Sequence, residues 1–322
     1  MQSAFLLPAV HWKPKQILVT DMQRPILLLI IILLLILCLC TRRGLEESSR
    51  PTAKASSPER IVSLAPSITE TLFAVGLGAK VVGVTQFCAY PPDAAALPKV
   101  AGFSDVNFEA LLRVRPDLAV MPADKTVNKE QIERLGIRVL TVEVTSLEGL
   151  TNAILSLSSL SGNKAAGEKL IAQMKNRMAW AAERAKGKKP PSVLFSVMHS
   201  EQDIEHISEI SAIGRDGFYD QLIGAAGGRN VYEGLLPYPR LSREAIIFLN
   251  PDVIIDVLPS SENEAAARRG WMSLTSVNAI KSGRLLILTD ETHTVPGPRF
   301  VKTLEAMSLA FHPEMEKEAR NE

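Results

Sequence analysis

Asn107-Phe-Glu109-Ala-Leu-Leu-Arg-Val-Arg-Pro116-Asp117-Leu-Ala-Val120 and Ser242-Arg-Glu244-Ala-Ile-Ile-Phe-Leu-Asn-Pro251-Asp252-Val-Ile-Ile255 follow one template, and their glutamates lie 135 positions apart. Asn107 and Ser242 are helix N-caps, whose side chains can accept from the free N–H groups of the first turn. Glu109 and Glu244 sit in that turn, where the helix dipole favours a negative charge. Pro116 and Pro251 stop each helix, because a residue before proline avoids the helical region. The apolar runs Leu118–Met121 and Val253–Val257 then read as buried parallel strands. A spacing this long is not a solenoid repeat. It predicts two similar lobes, each with one helix–turn–strand unit. Each glutamate by itself reads as a helix-start acid. The matched pair reads as two docking points for a two-fold symmetric partner.

Working outward, strands alternate with helices, which means a parallel α/β layer structure. Ile61–Ala65 and Val81–Val84 read as strands. Ser67-Ile-Thr-Glu70 reads as a capping box opening the helix between them. Lys129–Leu135 is a helix and Val139–Val142 a strand. From Ser146 the spacing of Leu147, Leu150, Ile154, Leu157 and Leu160 is helical. Asn163 then caps a second helix of about 24 residues, about 36 Å long at 1.5 Å per residue. That is too long for an ordinary crossover and reads as a rigid strut between the lobes. Val193–Val197 opens the second lobe. Further helices are expected at Phe218–Ile223, around Asn263–Arg269 and at Arg299–Phe311, with a strand at Leu285–Leu288. The predicted class is α/β: two similar parallel-sheet lobes joined by one long rigid helix.

The chain has 322 residues, 46% apolar and 22% charged, enough for two ordinary globular domains. A net charge of +1 gives no electrostatic case for a nucleic-acid partner. Cys88 is the one cysteine outside the apolar N-terminal stretch, so no disulfide can form within the rest. Ile26–Cys40 is an unbroken apolar run of 15 residues. It suits a secretory h-region better than a full membrane span of about 20 residues. Met22 would make a compact signal start. Cys38 and Cys40 suggest a lipoprotein, and Arg42–Arg43 leave a retained anchor open. Every one of these readings exports the remainder, to the periplasm or the outer face of the cytoplasmic membrane. The expected organisation is a signal or anchor over 1–43, a flexible tether over 44–58, an N-terminal lobe over 59–160 and a bridging helix over 161–188. A C-terminal lobe over 189–313 and a tail over 314–322 complete it.

Arg60-Ile-Val-Ser-Leu-Ala-Pro-Ser-Ile-Thr-Glu70, Val82-Gly-Val-Thr through Tyr90-Pro91-Pro92, Leu97-Pro-Lys-Val-Ala-Gly102, both Pro-Asp units and Pro237-Tyr-Pro-Arg-Leu-Ser242 together resemble one family. It is that of the periplasmic or lipoprotein substrate-binding proteins of ABC importers for vitamin B12, iron–siderophores and haem. The resemblance spans roughly Arg60 to His312. It implies a small-molecule ligand, a corrinoid or ferric siderophore, held between two lobes whose bridging helix limits closure to small motions. It implies docking on a two-fold permease through one glutamate per lobe, here Glu109 and Glu244, by a monomeric protein without a cofactor. The positions matching the family's ligand loops are Phe87, Tyr90, Phe103, the Met121-Pro122 turn and Tyr238. Phe103, Pro122 and Tyr238 stand where the vitamin B12 binders carry tryptophans. Aromatic rings suit flat macrocycles and catecholates. Arg240 and Arg299 could meet anionic groups of a ligand, with exposed surface arginine as the plainer reading.

Two other readings remain open. Haem or a metal ion could be the ligand, but the N-terminal lobe has no histidine. His199, His206, His293 and His312 read as solvated or capping side chains, although Tyr90 or His199 could ligate haem. From another class, a membrane-anchored extracytoplasmic enzyme is possible. No GxSxG, GxGxxG or Walker sequence is present. Gly224-Ala-Ala-Gly227-Gly228 follows a helix and reads as its C-cap.

Overall fold

The structure, a computed structural model, describes residues 57–103, 105–125, 128–199, 204–258 and 260–313. The expected signal, anchor, tether and C-terminal tail lie outside them, except for the last tether residues. From Ser57 onward the chain forms one compact unit. Its elements are β1 (Ile61–Ser63), α1 (Pro66–Ala74), β2 (Val81–Thr85), α2 (Pro92–Ala95), β3 (Lys99–Ala101), α3 (Phe108–Arg113), β4 (Leu118–Pro122), α4 (Lys129–Arg134) and β5 (Arg138–Val142). Two long helices follow, α5 (Leu147–Leu160) and α6 (Lys164–Ala185). Then come β6 (Ser192–His199), β7 (Glu209–Ala212), α7 (Phe218–Ala225), β8 (Arg229–Asn230), β9 (Arg240–Ser242), α8 (Arg243–Leu249), β10 (Val253–Val257), α9 (Glu264–Met272), α10 (Asn278–Lys281), β11 (Leu285–Leu288) and α11 (Phe300–Phe311).

The first sheet is parallel throughout, in the order β3-β2-β1-β4-β5. The second runs β11-β10-β6-β7-β9, with β8 beside β6. Its core pairs are parallel, but β7 and β9 add antiparallel partners at one edge. Those two strands are short and lack the apolar runs that mark the others.

The two template copies fold alike. Asn107 accepts from the Ala110 N–H at 2.9 Å, and Ser242 from that of Ala245 at 3.3 Å. Arg115 and Asn250, each just before the proline, both take left-handed backbone, at φ 44° and 45°. Asp117 then accepts from the Glu59 N–H at 2.8 Å, and Asp252 from that of Ser192 at 3.0 Å. Each Pro-Asp aspartate thus ties down the start of the neighbouring central strand.

The capping box expected at Ser67–Glu70 does not form. Pro66 already occupies the first turn of α1, the N-cap is Ala65, and no side chain caps it. Ser67 is buried inside the helix, which frees Glu70 for a distant partner.

One continuous apolar core runs from the inner face of the first sheet through α1, α5, α6, α7 and α11 to the inner face of the second. Separate cores lie on the outer faces, around Val62, Leu111 and Ile132 in the first lobe and around Leu194, Ile254 and Trp271 in the second. In α6, Gly167, Ile171, Met174 and Ala181 are buried at alternating spacings of four, three and seven, one face of a helix. A Cβ on Gly167 would lie 2.5 Å from Ser158 Oγ, so glycine permits the close approach of α6 to α5. Arg177 reaches Glu305 of α11 at 3.1 Å. The lobes share packing, which a wide hinge would tear open.

Candidate functional site

Arg299, at the N-cap of α11, joins the lobes. It donates to Glu70 of α1 at 2.6 Å and to Thr292 Oγ1 at 2.7 Å, and its guanidinium lies 3.7 Å from the centre of the Tyr90 ring. Burial pushes the Glu70 carboxyl above its ordinary range, and the bond and charge of Arg299 only partly offset this. Its second oxygen, Oε2, is buried with no hydrogen-bond partner among the described residues, in keeping with that direction. Burial would by itself lower Arg299, but the bond and charge of Glu70, with Glu291 nearby, leave it raised. Thr292 is fixed in turn by Asp290, which accepts from its N–H at 2.7 Å and its hydroxyl at 2.6 Å. The hydroxyl and N–H of Thr292 hold Asp290 below the carboxylate range, against a smaller effect of burial. Burial lowers His293, which meets Thr303 at 2.8 Å.

The aromatic side chains expected to line a cleft are exposed: Phe87, Tyr90, Phe103 and Tyr238. Phe87 follows β2 and Phe103 follows β3, at the carboxyl ends of the strands where open α/β sheets bind ligands. Their rings meet edge to face at 6.1 Å. Lys125, beyond the end of β4, places its ammonium 3.8 Å from the centre of the Phe103 ring. Tyr238 and Glu70 both act electrostatically on the phenol of buried Tyr219, which burial pushes far up. Glu70 and Tyr90 of one lobe thus share their surroundings with Tyr219, Tyr238 and Arg299 of the other.

Two sequence candidates are held by other contacts. Arg240, on the edge strand β9, is engaged by Glu209 of β7. Met121 and Pro122 end β4 as buried strand residues rather than forming an exposed turn, because their apolar side chains continue its run. The site also holds residues that the sequence reading did not pick out: Glu70, Lys125 and Tyr219. A glutamate within the wholly buried stretch Ser67–Leu72 is the one signal that could have been read; Lys125 gave none.

Glu109 and Glu244 lie on two separate helices, each in the first turn. Glu109 is paired with Arg113 one turn on, at 2.7 Å. Glu244 accepts from the Ser242 hydroxyl at 2.9 Å. Its own backbone N–H first, and that hydroxyl second, hold its carboxyl below the usual range.

The expectation that the histidines are solvated or capping fails for His199. Its side chain is 4% exposed, and its Nε2 lies 2.6 Å from Asp256 Oδ1. Asp256 is wholly buried, and its Oδ2 accepts from Trp271 Nε1 at 2.7 Å. A carboxylate in an apolar core needs such partners, and His199 is recruited to supply one. Ser196 approaches the same Nε2 at 3.4 Å. A hydrolase relay instead uses opposite nitrogens for acid and nucleophile, so these three side chains lack its geometry. Among the described residues no group of three or more His, Cys, Asp or Glu side chains could hold a metal ion. Nor is any described helix long and apolar enough to cross a membrane.

Two α/β lobes on a shared core, joined by the Arg299–Glu70 ion pair with the exposed Tyr90 ring against its guanidinium, define a two-lobed ligand-binding protein. The chain belongs to the periplasmic binding protein family, whose model matches residues 61–292. It is similar to an ABC transporter substrate-binding lipoprotein of Bacillus subtilis, 29% identical over 85% of this chain and 86% of that one. A cobalamin-binding protein of Halobacterium salinarum is 30% identical over 80% of this chain and 70% of its own length. Among solved structures, a periplasmic heme binding protein from Pseudomonas aeruginosa superposes with a TM-score of 0.69 at 28% identity, covering 80% of this chain and 93% of that one.

Proposed function

We propose that this protein is the extracytoplasmic substrate-binding component of an ABC importer. It captures a corrinoid or a ferric siderophore between its lobes and delivers it to a two-fold permease, docking as a monomer through Glu109 and Glu244. The observation that carries the ligand class is the set of exposed rings, Phe87, Tyr90, Phe103 and Tyr238, contributed by both lobes. Rings at this density suit the flat face of a macrocycle or catecholate. The cobalamin-binding relative and the lipoprotein relative of a transporter support the same reading. The role is binding and release, without chemistry on the ligand.

Haem is the second reading. A tyrosine oxygen can ligate ferric haem iron, and Tyr90 is an exposed tyrosine whose ring is held against the Arg299 guanidinium. The heme-binding structural relative favours it. One titration separates the two. The purified protein is mixed in turn with cyanocobalamin, a ferric catecholate siderophore and haemin, and Tm and tryptophan fluorescence are followed. The importer reading expects one of them to bind with a micromolar or tighter Kd and to raise Tm by several degrees, as mass action requires. Haemin binding that Tyr90→Phe abolishes, with loss of its charge-transfer absorption, selects haem. Binding of none of the three sinks this ligand assignment.

A further inference from the structure

The two exposed template helices match in position but not in chemistry. On α3 the outward triplet is Glu109, Leu112 and Arg113; on α8 it is Glu244, Ile247 and Phe248. Spacings of three and four put each triplet on one helical face. Leu112 is 48% exposed, Ile247 40% and Phe248 87%, while the residues before the two aliphatics, Leu111 and Ile246, are fully buried. Both helices therefore show the solvent an acid and an aliphatic side by side. The third member differs: Glu109 is neutralised by its own Arg113 at 2.7 Å, whereas Glu244 has no ion-pair partner among the described residues and stands beside a bare phenyl ring.

We infer that docking on the permease is unequal: the α8 face, Glu244 with Ile247 and Phe248, is the dominant contact, and the α3 face is a weaker second one. This rests on the importer reading above. The same acid–aliphatic pair presented twice fits a partner that offers one complement twice, as a two-fold permease does. Charge complementarity then asks that partner for a cation at each site. At α8 a cation meets a carboxylate that has no cation to displace, with an apolar collar to exclude water. At α3 it must displace Arg113, and the gain is that of an exchange between two exposed ion pairs. Buried aromatic anchors ringed by polar contacts carry most of the binding energy at interfaces. A second copy of this chain is the competing occupant of so exposed a ring, and the test separates the two.

The test uses the full chain and proteoliposomes holding its ABC permease and ATPase. Docking affinity is measured by surface plasmon resonance, and light scattering reports the chain's own oligomeric state. Phe248→Arg and Glu244→Ala are each expected to weaken docking by about thirtyfold or more, the scale of a hot-spot residue. Glu109→Ala should weaken it by less than about threefold, the scale of an exposed ion pair. Arg113→Phe, which frees Glu109 and copies the α8 face, should tighten it. An unchanged Tm in each variant keeps folding out of the comparison. Equal losses at Glu109 and Glu244, an indifferent Phe248, or a chain dimer that Phe248→Arg dissolves would each overturn the inference. The importer reading is checked separately. Glu109→Arg combined with Glu244→Arg should abolish docking and spare ligand affinity. An unaltered chain that never binds the permease would overturn that reading and this inference with it.

Discussion

Met121 and Asp256 stand at the same place in the two template copies, near the ends of β4 and β10, each beside the central strand of its sheet and facing the outer core of its lobe. The first lobe buries a methionine there; the second buries a carboxylate bonded to Trp271 at 2.7 Å and His199 at 2.6 Å. One backbone design thus tolerates two kinds of core. An apolar position is specified by volume alone. A buried carboxylate is specified by every partner that must be in place around it. The difference coincides with the strand pairing. The first sheet is parallel to its edges, whereas in the second β6 runs on past the parallel core to His199 and turns back antiparallel into β7. The extension of β6 is what brings His199 under Asp256.

Making the second lobe resemble the first is the most damaging way to break this comparison. Asp256→Leu should destabilise the protein by about 3 kcal/mol, because Trp271 Nε1 and His199 are left buried without a partner. Met121→Leu, an exchange of similar volume, should cost less than about 1.5 kcal/mol. Urea unfolding of both variants measures the contrast. Equal costs would mean that the Asp256 cluster is no more demanding than ordinary packing.

What could be read in the sequence follows from the range over which each interaction acts. Asn107, Ser242, Pro116 and Pro251 act within a few residues, and the helices and strands they bound stand as expected. The α6 helix was legible because its length needs no partner to be recognised. Glu70 was misread because a Ser-x-x-Glu pattern fits a capping box locally, while its partner Arg299 lies 229 residues away. The histidines were read as solvated or capping side chains because nothing near His199 in sequence announces Asp256. The resemblance picked out Phe87, Tyr90, Phe103 and Tyr238 as ligand candidates, and all four are exposed. Lys125 was not, since only the fold sets it over Phe103. Arg240 is a candidate by sequence, and its pairing with Glu209 on the neighbouring strand is one that only the fold sets.

The Pro-Asp aspartates sharpen the comparison at an intermediate scale. Asp252 accepts from both the N–H of Ser192 at 3.0 Å and its hydroxyl at 2.8 Å; Asp117, among the described residues, accepts from the Glu59 N–H alone. Asp252→Ala should cost about 2 kcal/mol and Asp117→Ala about 1 kcal/mol, since charge-assisted bonds are the stronger ones. For Asp252, burial works to raise the carboxyl, but the two Ser192 bonds, with help from Asn278 and Arg284, together outweigh it, so its folded value lies below the ordinary 3.8. A depressed carboxyl lends stability that is fully present above its unfolded value and is lost as pH falls through the folded one. The gap between wild type and Asp252→Ala should therefore be constant near neutral pH and narrow below about pH 3.8. A gap that widens on acidification would contradict the assignment of those bonds.

The smallest effect concerns the residue before each proline. Both copies need left-handed backbone there, because the following ring disfavours the right-handed region and the chain must still turn from helix into strand. Asn250 suits that conformation, and its Oδ1 also accepts from the Asn278 N–H at 2.8 Å. Arg115 takes the same backbone at φ 44° without such a bond, and its strain is that of any bulky L-residue there. Exchanging the two side chains should therefore act with opposite signs. Asn250→Arg should destabilise by about 1 kcal/mol, through the lost bond and the added strain. Arg115→Asn should stabilise by about 0.5 kcal/mol, because asparagine visits this region more readily. Guanidinium midpoints resolve differences of this size when the slopes are unchanged. The same sign at both positions would show that neighbouring contacts, and not the shared turn geometry, decide what each copy accepts before its proline.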